Sequence, residues 1–192
     1  QLSLREFRQK GMALLDQAYD LGIRYFDTAP GYGMAEEMLI EWVEEKNDPK
    51  LELAAKWGYT YVANFDSEAI IHEVKEHSLS KLKEQWEQSQ HLLPFLSTYQ
   101  IHSASLDTGV LDNQEVMTHL HRLKKENKLI IGLSTTGVQQ TEVIRKALDI
   151  VVEGDELFDA FQVTFNVLDQ SLLEVKERLH QSGKRVILKE VL

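Results

Sequence analysis

Six short apolar runs divide this chain, and most of them are nearly continuous rather than alternating between apolar and polar residues. Such runs are typical of strands buried on both faces, as in a parallel sheet. Segments with apolar residues at helical spacing separate the runs, which predicts right-handed βαβ units. The predicted strands are Ile23–Asp27, Leu51–Lys56, Thr98–His102, Leu129–Ser134, Ala160–Phe165 and Arg185–Val191.

The segments around these strands predict six helices. The third is the longest, from Asp66 to about Gln88, with Asp66 or Ser67 as its cap. Gly22 ends the first helix. The apolar stripe of that first helix consists of Phe7, Gly11, Leu14, Ala18 and Leu21.

The spacing of polar residues at the strand ends indicates the architecture. Asp27, Lys56, His102, Ser134 and Gln162 lie 29, 46, 32 and 28 residues apart. A unit of about 30 residues suits a (β/α) barrel, and the long third helix accounts for the longest interval. A doubly wound sheet is the alternative, but no G-x-G-x-x-G turn follows any strand.

We therefore predict an α/β fold, a parallel (β/α)8 TIM-type barrel. Eight strands close such a barrel, and six strand–helix units are present. We expect residues 1–192 to form a single domain, an incomplete barrel that lacks the first strand and the C-terminal unit or units.

Composition excludes several classes of partner. The net charge is −10, from 31 acidic and 21 basic residues, whereas nucleic-acid binding requires a concentrated basic face. No apolar run approaches the ~20 residues of a membrane helix, and no signal peptide is recognisable. Without cysteine, neither a disulfide nor a thiolate zinc site can form, and a reducing, cytoplasmic location is expected. The sequence does not indicate an oligomeric state.

Four polar residues are predicted to meet at one rim, because the carboxyl ends of all strands in a parallel barrel lie together. Asp27, Lys56, His102 and Ser134 end four predicted strands, and Tyr32 lies beside Asp27 in the stretch "FDTAPGYG". Singly, a turn aspartate, a strand-end lysine and a lone histidine usually have structural roles. Their joint placement at equivalent strand ends favours a shared site.

These side chains together suggest proton donation to a carbonyl oxygen. A free phenol has a pKa of ~10, too high to exchange protons readily near neutral pH. A nearby ammonium favours the phenolate, by ~4 kcal/mol at ~4 Å and an effective dielectric of ~20. Asp27 would anchor Lys56, and His102 would orient a substrate oxygen beside Tyr32. Carbonyl reduction also needs a hydride, which no side chain supplies, so a nicotinamide cofactor is implied.

Five stretches resemble the ordered motifs of the aldo-keto reductases: "GIRYFDTAPGYGMAEEML", "AAKWG", "YQIH", "IIGLSTTG" and "FQVTFN". The resemblance extends over roughly residues 14–192. It implies an eight-stranded barrel that uses NADPH to reduce a small-molecule carbonyl substrate, and NADH remains an alternative cofactor. It also implies a catalytic tetrad of Asp27, Tyr32, Lys56 and His102.

The resemblance implies cofactor contacts as well. Ser134 and Gln162 match the residues that hydrogen-bond the nicotinamide amide in the family. Where an asparagine commonly follows that serine, this chain has Thr135. Lys189, followed by Glu190, stands where the family usually places a stacking group.

No metal site is expected, because the remaining histidines fall on helical patterns without an acidic or cysteine partner at ligand spacing. Two other functions stay open. One is a non-catalytic, cofactor-binding regulatory member of the same fold; the other is a different barrel enzyme, such as an isomerase that uses the lysine and histidine directly. The remaining histidines are His72, His77, His91, His119, His121 and His180.

Overall fold

Six parallel strands form one sheet in the computed structural model, which describes residues 3–66 and 68–192. Each predicted strand is present, with bounds that differ from the prediction by at most two residues. The strands are β1 (Tyr25–Thr28), β2 (Glu52–Trp57), β3 (Leu96–Ala104), β4 (Ile130–Thr135), β5 (Ala160–Thr164) and β6 (Arg185–Lys189).

The order of the strands distinguishes a barrel from a doubly wound sheet. Each strand pairs in parallel with its successor, from β1 to β6, whereas a doubly wound sheet reverses its order at one point. The sheet is also curled, because Arg185 Nη1 on β6 lies 3.3 Å from Glu52 Oε2 on β2. Four steps of about 4.8 Å would separate these strands by about 19 Å in a flat sheet. The fold is therefore a half-barrel, consistent with an incomplete (β/α)8 barrel.

Helices follow the strands as βαβ units require. The stripe predicted for the first helix is only partly correct, because Met12, Leu15 and Tyr19 pack against the core. Leu14 and Leu21 are instead 65% and 77% exposed. The helices are α1 (Leu4–Asp20), α2 (Ala35–Lys46), α3 (Leu79–Ser89), α4 (Gln114–Asn127), α5 (Gln140–Leu148) and α6 (Lys176–Ser182).

The predicted third helix is wrong over its first half. Helix α3 begins only at Leu79, and within the preceding segment Glu73–Lys75 pairs with Tyr59–Tyr61 as a short antiparallel hairpin. Apolar side chains of this segment do not form a buried face, since Ile70 and Ile71 are 99% and 60% exposed.

The cap predicted for this helix is also wrong. The α-helix begins after Ser78, whose Oγ accepts a hydrogen bond from the Lys81 N–H at 3.1 Å. Asp66 accepts the N–H of Glu68 in a turn instead. Ser67 lies outside the described residues.

Successive side chains of each strand face opposite sides of the sheet. The helix-facing side carries large buried apolar residues such as Leu53, Trp57, Ile101 and Leu133. The inner side carries polar or small residues, because Lys56, Gln100 and Gly132 occupy one register row across β2, β3 and β4. The near-continuous apolar runs therefore supply one apolar face, and the inner face holds the polar groups.

Candidate active site

The predicted site residues gather at the carboxyl ends of the strands. Residues in register on parallel strands share a face of the sheet. Ser134 is in register with Gln162, so their side chains lie on the same face. Asp27 is in register with Ala54, two positions before Lys56, and so shares the face of Lys56. The predicted residues at or beside this rim are Asp27, Tyr32, Lys56, His102, Ser134, Gln162 and Lys189.

Four of these side chains form a continuous chain of polar contacts. The Lys56 ammonium donates to Asp27 Oδ2 and to Tyr32 Oη, the latter at 3.2 Å. Tyr32 Oη in turn lies 3.4 Å from His102 Nε2. Lys56 is 1% exposed, so its charge is neutralised by Asp27 rather than by water. The structure thus brings together the four residues of the predicted tetrad.

Local backbone geometry places Tyr32 beside the sheet. A short 3₁₀ helix, Pro30–Tyr32, follows β1, and the Tyr32 N–H donates to the Ala29 carbonyl at 2.9 Å. Gly33 then adopts φ +64°, a conformation that favours glycine, and the chain turns into α2. This turn positions the phenol of Tyr32 over the C-terminal ends of β2 and β3, beside Lys56 and His102.

His102 is electrically neutral at neutral pH. Burial, reinforced by the charge of Lys56, lowers the pKa of His102 to about 3. Its Nδ1 atom is buried and has no hydrogen-bond partner among the described residues. A buried N–H without an acceptor is less tolerable than an unpaired lone pair. We therefore assign the single imidazole proton to Nε2, which faces Tyr32.

Two further residues contact the tetrad and were missed by sequence reasoning. Gln100 Nε2 lies 3.4 Å from Asp27 Oδ1, and the spacing of Gln100 two positions before His102 on one strand was an available signal. The Tyr59 ring lies 4.7 Å from the His102 ring, between centroids. The alternation in "YTYV" could have indicated a strand there.

An additional cation lies beside the site. Lys75, in register with Tyr59 in the hairpin, donates to Ser105 Oγ at 2.7 Å. Burial lowers the pKa of Lys75, and the positive charge of Lys75 contributes to the lowered pKa of His102. The sequence did not indicate this residue, since the hairpin that carries it was predicted as helix.

Ser134 and Gln162 fit the carboxamide of a nicotinamide. The Ser134 oxygen accepts the N–H of Ser103 at 2.8 Å, which leaves its hydroxyl proton available to donate. The Gln162 side-chain amide makes no hydrogen bond among the described residues, although the residue is 92% buried. An amide with both donor and acceptor capacity next to a hydroxyl donor matches a carboxamide ligand.

Thr135 and Lys189 are arranged differently from the residues usual in the family. The Thr135 hydroxyl is directed to the Gln140 side chain at 3.2 Å, in the buried layer beneath α5. Lys189 shares a face with Gln162, but its ammonium donates to Glu190 at 3.0 Å. Neither side chain offers an aromatic surface or an asparagine amide.

Comparisons with known proteins identify the family of this chain. The model of the aldo/keto reductase family matches residues 7–192. An L-galactose dehydrogenase from Arabidopsis thaliana is 29% identical over 182 residues, which cover 92% of this chain and 53% of that protein. The chain therefore spans about half the length of this curated relative.

Solved structures show the same architecture. A candidate aldo-keto reductase from Pseudomonas aeruginosa is 27% identical, with a TM-score of 0.73 over 95% of this chain and 67% of that one. The holo form of an aldo-keto reductase from Bacillus halodurans, at 21% identity and a TM-score of 0.75, shares the fold over 94% of this chain and 57% of that one. With the family model matching nearly its whole length, the chain belongs to the aldo/keto reductase family.

Proposed function

We propose that this protein reduces an aldehyde or ketone to the corresponding alcohol, with NADPH as its nicotinamide cofactor. The observation that carries the proposal is the contact chain from Lys56 through Tyr32 to His102. In that chain the phenol lies between an ammonium and a neutral imidazole, at the rim where barrel enzymes perform catalysis.

Tyr32 is the proton donor in this proposal. The residue is 42% exposed, so a substrate oxygen can reach its phenol. When the proton leaves, negative charge forms on an oxygen that lies 3.2 Å from the Lys56 ammonium. A charge already in place stabilises that oxygen without rearrangement of solvent. Asp27 holds the ammonium in position.

His102 orients the substrate oxygen. Its Nε2 proton points toward the space beside Tyr32 Oη, so an oxygen placed there accepts from both groups. When bound, the reduced nicotinamide supplies the hydride that the carbonyl carbon receives. The substrate oxygen takes the Tyr32 proton, and the product is a neutral alcohol.

Ser134 and Gln162 would hold the carboxamide of the cofactor, since both are buried and offer unused hydrogen-bonding groups. Lys189 would contribute a charge near the cofactor rather than a stacking surface. The name of the Arabidopsis relative makes hydroxylated carbonyl compounds a natural part of a substrate panel.

A second candidate function is cofactor binding without turnover. It is favoured by the Lys189–Glu190 ion pair and by the diversion of Thr135 toward Gln140, because both alter contacts expected around a nicotinamide. In this case the barrel would act as a sensor or regulatory subunit.

The decisive experiment measures NADPH oxidation by the whole purified protein with 4-nitrobenzaldehyde and a series of hydroxylated aldehydes. Tyr32→Phe should lower kcat by at least about 100-fold, because it removes the general acid. Quenching of tryptophan emission by NADPH should persist in this variant. Tyr19→Phe is the matched control, since Tyr19 Oη donates to Asp48 outside the site.

Undiminished turnover by Tyr32→Phe would contradict the proposed role of the phenol. Tight NADPH binding without turnover of any carbonyl in the panel would favour the second candidate. Isomerase chemistry would be indicated by sugar isomerisation that needs Lys56 and His102 but no nicotinamide.

A further inference from the structure

The peptide unit that joins His102 to Ser103 breaks the regular pairing of β3 with β4. The register runs without interruption to Ile101 and resumes only at Ala104. Ser103 adopts φ +49°, in the left-handed region that non-glycine residues rarely enter. Contacts from the surrounding structure must therefore hold this conformation.

Both polar ends of this one peptide unit are bound by side chains. Its N–H, from Ser103, donates to Ser134 Oγ at 2.8 Å. Its carbonyl, from His102, lies 2.9 Å from His77 Nε2. Because the two groups of a trans peptide point in opposite directions, the pair of hydrogen bonds fixes the rotation of the plane. That rotation sets the direction in which the His102 side chain leaves the backbone.

His77 is itself held on several sides. It is nearly buried, and its ring meets the Trp57 ring edge to face with centroids 5.6 Å apart. Its Nδ1 atom lies 3.1 Å from Thr108 Oγ1. A β-carbon on Gly58 would lie 2.4 Å from the His77 ring, so the imidazole rests directly on the backbone that follows Lys56.

The protonation state of His77 agrees with a donor role. Burial lowers its pKa to about 4, so the imidazole is neutral at neutral pH and carries one proton. A carbonyl oxygen can only accept, and that proton must therefore be on Nε2. The Nδ1 lone pair then faces the Thr108 hydroxyl.

We propose that His77 is a positioning residue for His102: its Nε2–H hydrogen bond to the His102 carbonyl holds the irregular peptide unit that aims the His102 imidazole at Tyr32. This inference rests on the proposed reductase function for its catalytic consequence. Among the described residues, the hydrogen bonds of His77 reach the Thr108 hydroxyl and the His102 carbonyl but none of the tetrad side chains, so its positioning effect acts through the backbone.

Two amides of different length test the proposal. In His77→Gln, the amide nitrogen can reach the position of Nε2 and donate to the carbonyl, whereas in His77→Asn it is too short. We expect His77→Asn to lower kcat on the order of tenfold to a hundredfold, as expected for a misplaced catalytic group. His77→Gln should stay within about threefold of the original protein. His119→Leu removes another largely buried histidine, on α4, and should leave kcat unchanged.

Nitrogen-15 NMR of the imidazoles supplies a readout that does not depend on turnover. In the unsubstituted protein, His77 should be the Nε2–H tautomer, and His102 should stay neutral down to about pH 4. His77→Asn and His77→Gln both remove the charge of His77, which contributes to the lowered pKa of His102. The His102 titration should therefore lie higher in His77→Asn than in His77→Gln, because only in the former is the ring released toward solvent.

The outcomes separate the two proposals. An Nδ1–H tautomer of His77, or unaltered His102 resonances and kcat in His77→Asn, would overturn the positioning role. Absence of carbonyl reduction by the unsubstituted protein would overturn the proposed function alone, while the NMR comparison would still decide the role of His77.

Discussion

Gly58 and His77 are packed so closely that a β-carbon on residue 58 would lie 2.4 Å from His77 Cδ2. Gly58 also has φ +114°, which L-residues with side chains rarely adopt. We expect Gly58→Ala to lower the free energy of unfolding by about 2 kcal/mol or more, from backbone strain and overpacking together. Urea denaturation measures this change.

Gly154→Ala separates the two causes, because Gly154 has φ +88° and no atom within 4 Å of an added β-carbon. This control should show the backbone cost alone, about 1 kcal/mol. Equal losses in the two variants would mean that the contact with His77 contributes nothing. The Gly58 variant should also shift the NMR signals of His77.

Asp27 is the charge partner of an almost completely buried ammonium. Asp27→Asn leaves Lys56 without its counter-charge, and we expect a loss of about 2 kcal/mol in the free energy of unfolding. The figure is modest because the Asp27 side chain is 25% exposed and partly screened by water. Thermal or urea denaturation at neutral pH gives the value.

The double variant Asp27→Asn, Lys56→Met distinguishes stability from catalysis. It removes the unpaired charge, so stability should recover relative to Asp27→Asn. Turnover should remain at least about 100-fold below the original, because the phenolate at Tyr32 then lacks its ammonium. If turnover recovered together with stability, the lysine would have a structural role only.

The fold was largely predictable from local patterns. Strands such as β2 and β4 combine short apolar runs with flanking helical segments, and the polar residues next to their C-terminal ends, Lys56 and Ser134, marked the repeat. The hairpin after β2 was not predicted, because its second strand lies in the segment predicted as the third helix, where Ile70 and Ile71 stay largely exposed. Periodicity predicts burial, and it fails where apolar residues stay exposed.

The tetrad residues were also identifiable, since each lies at a strand end or in the adjoining turn. His77 was predicted only as a non-metal residue on a helical pattern. Its contacts with His102 and Trp57 depend on how a long connection folds back over the rim. The left-handed backbone of Ser103 had no sequence signal, because serine is common in ordinary strands and turns. Such relationships are set by tertiary packing and not by spacing along the chain.

The two rim histidines should make stability depend on pH. The pKa values of His77 and His102 in the folded protein, about 4 and about 3, lie below the ordinary 6.5. As the pH falls below 6.5, the unfolded chain takes up protons that the folded protein does not. The free energy of unfolding should therefore decrease toward pH 4, by about 1.4 kcal/mol per pH unit for each histidine.

Single substitutions isolate these contributions. His77→Gln and His102→Gln should each flatten the pH dependence of urea unfolding, and the double variant should flatten it further. Glu36 acts in the opposite sense, since burial raises its pKa and its contribution is lost as the pH rises. Comparison of each variant with the original protein cancels that contribution. If the free energy of unfolding depended on pH in the same way in all these proteins, burial would not be what keeps either histidine neutral.

Gln140 joins the ends of two strands that carry the candidate cofactor residues. Its side chain is fully buried, accepts the N–H of Thr164 at 3.2 Å and donates to the Thr164 carbonyl at 3.1 Å and to Ser171 Oγ at 2.8 Å. We expect Gln140→Leu to lower the free energy of unfolding by about 3 kcal/mol, because several buried polar groups lose their partner. Gln139→Leu, at an exposed neighbouring position, should change the free energy of unfolding by less than about 0.5 kcal/mol.

Since Gln162 lies two residues before Thr164, NADPH affinity measured by fluorescence quenching should fall in the Gln140 variant only. Unchanged affinity would show that the end of β5 keeps its geometry without this amide.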